Sequence, residues 1–511
     1  MKKFTALILA LLVGASLLTA CSPNAAPSSS TASEQQGAKE IVYANATDIS
    51  SMDPRNATGT QTASILNHVF SGLVTTDEKG QVVNDLAESY KNIDDKTWEF
   101  KLKDGVTFQD GSKLTSEDVK YTLDTIRDTS KKYKLASDFS FMQVEVIDEL
   151  NFRIITEEPF SGFLLRLNYV KIIPKAYVEK VGDEEFAAKP IGSGPYKFVS
   201  WSKDEKVVLE ANDTYFGGKP AIDKITYKVI PEAASRIAAL ESGEADIIAN
   251  VPTSQIERLS SLENVKVLSN PTTRVMFVGM NLIKDGPLQN EKVRQALNYA
   301  VNKQALIEGV LDGNATQIAT ISTPEYEGYD ASVEAYSYDP EKAKQLLAEA
   351  GYADGFSLQF SVTSGYLNGQ DVAQAIASQL GEVGITCTVQ EEDSNQQREK
   401  MSSGTVADLY LNGIGGPYSN IDLVAKLAFG TGERYSTYSN AKFDALRKEA
   451  AATVDEEKAK VKNSEIQKVI KEQAPAIFLY QQHGIYAYNT RVSNWLPRVD
   501  EMILVSNADV N

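Results

Sequence analysis

His68 and His483 are the only histidines in the 511-residue chain, and Cys21 and Cys387 the only cysteines. A zinc site, a histidine-based triad or a disulfide framework would therefore rest on very few groups. The chain contains no Gly-x-Ser-x-Gly elbow, no His-Glu-x-x-His helix and no histidine suited to act as a base beside a serine. Gly192-Ser193-Gly194 has the outline of a phosphate cradle, yet Pro195-Tyr196 stand where Lys-Ser/Thr would be needed, and a strand follows rather than a helix. It reads as a turn in which both glycines take positive φ and Pro195 fixes the exit. Structural, hydrogen-bonded roles are expected for both histidines, with no metal site and no cofactor. Cys387, in the β-branched run Gly384-Ile385-Thr386-Cys387-Thr388-Val389, reads as a small core residue. The chemistry on offer is binding rather than catalysis.

The elements that must position a binding site begin after a leader. Lys2-Lys3, an apolar run from Leu7 to Leu18 too short to span a bilayer, and small residues before Cys21 have the layout of a secretory signal over 1–20. Its ending resembles a bacterial lipoprotein box, which implies a lipid on Cys21. The rest of 21–39 is Ser-, Ala-, Pro- and Gln-rich and cannot bury enough surface to fold, so it reads as a flexible tether with a reach of about 25 Å. The remaining length suits about three domains. Lys and Arg number 51 against 69 Asp and Glu, a net charge of −18 that repels phosphate backbones and argues against nucleic acid as a partner.

Folded structure is expected from a strand at 40–44, followed by a helix carrying Ile65, Leu66, Val69 and Phe70 on one face. Trp98-Glu99-Phe100-Lys101-Leu102 alternates as a half-buried strand, and with the turns Asp104-Gly105 and Asp110-Gly111 it reads as a β-hairpin feeding a helix capped by Thr115 and Asp118. Asp339-Pro340 opens a helix that Gly351 ends. Strands at 356–362, 385–390 and 409–412 then alternate with helices at 370–381, 443–453 and 457–472, an α/β pattern.

Four ordered stretches carry a family resemblance: Leu86-Ala87-Glu88-Ser89-Tyr90 through Asp104-Gly105-Val106; Pro190-Ile191-Gly192-Ser193-Gly194-Pro195-Tyr196; Val293-Arg294-Gln295-Ala296-Leu297; and Asp339-Pro340-Glu341-Lys342-Ala343 through Gly351-Tyr352. In this order the chain resembles the bacterial extracellular solute-binding proteins of the peptide, dipeptide and nickel class (family 5), lipoprotein components of ABC importers. The resemblance implies a two-lobed periplasmic-binding-protein-like α/β fold with an additional subdomain in the first lobe. Lobe I would comprise 40–80, 190–275 and 482–511, the additional subdomain 81–189 and lobe II 276–481. Two strands would cross between the lobes, outbound at 274–281 and returning at 476–480. The function implied is a monomeric extracytoplasmic receptor, held at the membrane only by its lipid. It would capture a peptide or related small solute in an interlobe cleft and deliver it to the importer's permease subunits. Two other functions share such a leader: a solute or signal-peptide sensor that feeds no transporter, and a secreted hydrolase, against which the missing catalytic motifs speak.

Peptide-capturing members of the family hold the peptide's ammonium with an Asp in a Gly-Trp-x-x-Asp-Tyr stretch. The matching stretch here begins Gly413-Ile414-Gly415-Gly416-Pro417-Tyr418, with Ile414 for Trp and Pro417 for Asp, so the usual ammonium anchor is missing. Asp422 could replace it, or cap a helix starting at Leu423. The three glycines are expected to clear bulk beside the cleft. Candidate cleft residues are Tyr43, Asn45, Arg274, Asn281, Tyr366, Asn368, Asn412, Tyr418, Asn420, Tyr480 and Gln482. Arg274 is the one charged group among them, suited either to grip an anion through two hydrogen bonds or to form a salt bridge at the hinge.

Overall fold

Two long strands, Val265–Met280 and Ala476–Asn489, pair antiparallel along most of their length at the middle of an eleven-stranded mixed sheet. The computed structural model that shows this describes residues 38–511, apart from 57–58, 364–365, 417–419 and 434–435. The leader, Cys21, Pro417 and Tyr418 lie outside the described residues. The first strand takes in 274–280 of the expected 274–281 crossing and starts nine residues earlier, and the second contains 476–480 and runs on to Asn489. A register shift between Pro271 and Val275 interrupts the pairing, as suits a residue with no N–H to donate. After that shift the first strand is almost wholly buried.

On one side of the pair lie Leu409–Ile414, Phe356–Thr363 and Ile385–Glu392, and on the other Ile247–Ala249, Glu40–Asn45, Lys224–Val229, Lys206–Ala211 and Tyr196–Ser202. Glu40–Asn45 runs parallel to both its neighbours, as does Phe356–Thr363. Parallel neighbours need crossovers, which the helices Gly369–Gly381 and Ser394–Ser402 supply among Phe356–Thr363, Ile385–Glu392 and Leu409–Ile414. Separate cores form on the two halves of the sheet. Ile41, Tyr43, Ile225 and Tyr486 belong to one, and Met276, Val278, Leu409 and Leu479 to another.

A third core, with Phe100, Leu123, Phe152 and Phe163, packs a separate four-stranded antiparallel sheet against the helix Ser116–Arg127. That helix starts with the expected capping box, Thr115 and Asp118 satisfying each other's backbone groups. The expected hairpin does not form. Thr97–Leu102 pairs with Ala87–Asp94 and Asn151–Thr156, and only an isolated bridge joins Thr107 to Lys113. The alternation marked a strand correctly, but that strand folds back through the two-residue turn at 95–96 onto Ala87–Asp94 instead of forward through Asp104-Gly105, and on its other side the buried aromatics Phe100 and Phe152 stack at 5.5 Å.

The turn at Gly192-Ser193-Gly194 leads into Tyr196–Ser202 as expected, but neither glycine takes positive φ. They are small because the helix Thr60–Val69 ends against them. A Cβ on Gly192 would fall 2.1 Å from the Val69 carbonyl oxygen, and one on Gly194 2.6 Å from that of His68.

Candidate ligand-binding site

A cavity of about 1640 Å3 opens among segments remote in sequence. Thr60, Ala63 and Asn67 reach it from the helix Thr60–Val69, and Met502 from the C-terminal segment. Lys134, Arg166, Asn168 and Lys171 come from the part of the chain that carries the small antiparallel sheet. The far wall holds Tyr366, Asn412 and Gly413, the helix Ser394–Ser402, and Leu423 and Lys426 of the helix Ile421–Phe429. Among the described residues the lining carries six cations, Lys134, Arg166, Lys171, Arg274, Arg398 and Lys426, against two carboxylates, Glu399 and Glu433. A cationic cavity in a chain of net charge −18 focuses a field favourable to anions.

Three of the expected site residues meet on this wall: Arg274, Tyr366 and Asn412. The Tyr366 hydroxyl donates to Asn412 Oδ1 (3.1 Å) and accepts from the Gly413 N–H (3.0 Å), which fixes the aromatic ring against the strand. Arg274 uses its fork within the protein, Nε and Nη2 donating to Glu501 at 2.9 and 2.6 Å. Coulombic attraction and hydrogen bonding from Glu501 outweigh burial and hold the guanidinium's pKa above its usual value.

The other described candidates are absent from the cavity lining. Tyr43 is buried in the first core, edge-on to Tyr227 at 5.6 Å. The Asn45 amide donates to the Thr47 carbonyl, and that of Asn281 to the carbonyls of Gly404 and Val406. Asn368 takes a left-handed conformation before the helix Gly369–Gly381 and donates to the Val310 carbonyl. Tyr480 and Gln482 are buried on the long return strand.

Asn420, not Asp422, caps the helix Ile421–Phe429, accepting from the N–H groups of Asp422 and Leu423. Asp422 sits inside the first turn and pairs with Arg447 at 3.0 Å, so its carboxylate already has a buried cation. The glycines at the end of the strand Leu409–Ile414 and just past it are packed rather than open. A Cβ on Gly415 would fall 2.6 Å from Arg274 Cα, and one on Gly413 2.6 Å from Met276 Sδ.

Both histidines are held by hydrogen bonds. His68 Nδ1–H donates to the Ser64 carbonyl (2.8 Å) and Nε2 accepts from the Val505 N–H (3.1 Å), and burial lowers its pKa to about 4. His483 contacts the hydroxyls of Ser269 and Thr316. Among the described residues no group of three or more His, Cys, Asp or Glu could hold a metal ion. Burial pushes the Cys387 thiol up to about 11, which leaves it protonated and inert.

Sequence reasoning missed Asn168, Lys171 and the helix Ser394–Ser402. Two signals were present. Lys171 stands alone in the apolar run Tyr169-Val170-Lys171-Ile172-Ile173, where a lysine is out of place unless it serves a site. Ser394–Ser402 has Met401 as its single apolar side chain yet buries Gln397 as well, as a helix walling a wet cavity does.

Residues 81–436 match the family model described as bacterial extracellular solute-binding proteins, family 5 middle. The chain belongs to this family. It is 30% identical over 495 residues to the glutathione-binding protein GsiB of Pectobacterium atrosepticum, covering 94% of this chain and 96% of that one. Among solved structures, the ABC transporter substrate-binding protein CtaP of Listeria monocytogenes matches with a TM-score of 0.85 at 25% identity, over 93% of this chain and 99% of that one. The oligopeptide-binding protein AppA of Bacillus subtilis, solved with a nonapeptide, matches with a TM-score of 0.77 at 27% identity, over 93% and 99% of the two chains. This family 5 protein is accordingly a solute-binding protein of an ABC importer and not an enzyme, and its fold is the two-lobed α/β fold of such receptors. Among the described residues no helix is long and apolar enough to cross a membrane.

Proposed function

We propose that this solute-binding protein is anchored outside the cell membrane by a lipid on Cys21, captures a short peptide or peptide-like solute between its lobes, and hands it to the permease subunits of an ABC importer. Lobe I then comprises 40–80, 190–275 and 482–511, the additional subdomain 81–189 and lobe II 276–481, and the receptor works as a monomer. The observation that carries this reading is the cavity of about 1640 Å3, whose walls come from all three of those regions. It is larger than the roughly 300–1,000 Å3 of an ordinary small-molecule pocket, as suits a solute of several residues.

Closing such walls on a solute requires no covalent chemistry, only tighter binding to the closed form than to the open one. Arg274, Tyr366 and Asn412 are the site residues this reading keeps on the cavity wall. Tyr418, three residues before Ile421 in the sequence and outside the described residues, remains a candidate. With Pro417 in place of an acid and Asp422 engaged by Arg447, the ammonium of an ordinary peptide has no carboxylate in the usual place. The net positive lining favours a solute with more carboxylates than ammonium groups, which glutathione, the named ligand of the GsiB relative, satisfies with two against one.

Native mass spectrometry of the protein purified from its own host tests the reading. One retained peptide-like solute per chain is expected. Turnover of short peptides by the purified protein, abolished by a single cavity substitution, would overturn it.

A further inference from the structure

Lys171 is the least accommodated charge in the cavity wall. The residue is only 5% exposed, lines the cavity, and its ammonium makes no hydrogen bond or ion pair with the described residues. Three neighbouring groups act on it through space: Asp85, Arg498 and Asp500. Arg498 and Asp500 are committed to each other, Nε to Oδ1 at 2.9 Å. Asp85 is half-buried and accepts from the Gly72 N–H at 2.9 Å. A buried ammonium with no bonded acceptor is costly unless something enters to pair with it.

One turn back along the same segment, Asn168 is 4% exposed and also lines the cavity. Its Oδ1 is buried with no hydrogen-bond partner. Buried side-chain oxygens are normally satisfied, so an unpartnered oxygen three residues from an unpartnered cation, both on residues that line the cavity, marks a place built for a ligand. The pair is chemically specific. Lys171 offers charge and donors, and Asn168 Oδ1 offers an acceptor. A phosphate or sulfate would satisfy the first and be repelled by the second. A head group with a carboxylate and a nearby N–H satisfies both.

We propose that Lys171 and Asn168 form the subsite for a carboxylate-bearing head group of the captured solute, the Lys171 ammonium taking the carboxylate and Asn168 Oδ1 accepting from an N–H of the same molecule. The inference rests on the capture of a peptide-like solute in this cavity. It assigns recognition to the segment after the helix Phe163–Leu167, in the region of the antiparallel sheet, rather than to the stretch of sequence that contains Pro417.

The test is calorimetry of wild type and Lys171→Met with glutathione and with its two mono-amides, each of which replaces one carboxylate by a neutral amide. In wild type, one of the two amides should bind at least about tenfold more weakly than glutathione, the other much less so. In Lys171→Met, glutathione itself should weaken by a similar factor, and the penalty for that amide should vanish, since the interaction it removes is already gone. If both amides lose the same affinity in the variant as in wild type, the subsite is wrong while capture of the peptide stands. If wild type binds none of the three, the capture of a glutathione-like peptide and the subsite both fall. Should Lys171→Met not fold, the structure of wild type with glutathione decides: a carboxylate oxygen about 3 Å from Lys171 Nζ is expected. Both carboxylates held elsewhere, with Lys171 and Asn168 still unbonded, would overturn the proposal.

Discussion

Arg274 and Glu501 are joined by two parallel hydrogen bonds, at 2.9 and 2.6 Å, that tie the strand Val265–Met280 to the C-terminal segment at the edge of the cavity. The two-point geometry is the strong form of the arginine–carboxylate pair, and both partners are largely buried. Arg274 therefore acts first as a brace and only second as a charge on the cavity wall. Replacing it by Met leaves Glu501 without its counter-ion and is expected to cost about 3 kcal/mol of unfolding free energy. The double substitution with Glu501→Gln should recover much of that. Urea unfolding of the single and double variants measures both, and equal losses in the two would show that the pair carries no coupling.

Asp422 is expected to behave likewise. Its carboxylate is paired with Arg447 at 3.0 Å, and Asp422→Asn would strand that guanidinium. The variant should lose about 2 kcal/mol or more of stability while its affinity for glutathione stays within about twofold of wild type. A large loss of affinity for peptides with a free ammonium, absent for their N-acetylated forms, would mean that Asp422 had taken over the family's ammonium anchor after all.

His68 gives a pH dependence of known sign. Its folded pKa, near 4, lies below the unfolded value near 6.5, so between those values the unfolded chain binds more protons and stability falls as pH drops. The stabilisation is fully present above about pH 6.5 and is lost progressively towards pH 4, by about 3 kcal/mol at most. In His68→Gln the difference in unfolding free energy between pH 7 and pH 4.5 should shrink accordingly. An unchanged difference would mean that other groups carry the acid sensitivity.

Much of this architecture was readable from local signals. Asp339 and Pro340 start their helix and Gly351 follows its end because caps depend on a few adjacent residues. The strands at 356, 385 and 409 were visible as apolar runs between helices. What escaped depends on distant chain. The glycines at 192 and 194 are dictated by the end of a helix at Val69, so a turn preference gave the right residue type for the wrong reason. Arg274, Tyr366 and Asn412, which line the cavity, could be singled out in the sequence because they sit on or beside strands of the main sheet. Lys171 and Asn168 belong to a region read only for its fold, and their exposure to the cavity is a property of the assembled molecule.

Membrane attachment through Cys21 predicts that Cys21→Ala either releases the protein into the medium or leaves it uncleaved. Fractionation of cells expressing the variant tests this, and an unchanged membrane pool would remove the lipid anchor from the account.

Calorimetric titration of the wild-type chain with glutathione, alongside free and N-acetylated tripeptides, tests the central claim most directly. Saturable binding of glutathione at one site per chain is expected with micromolar or tighter affinity, about −8 kcal/mol, and weaker binding of tripeptides that lack a second carboxylate. No heat from any of these peptides, at concentrations well above micromolar, would contradict it.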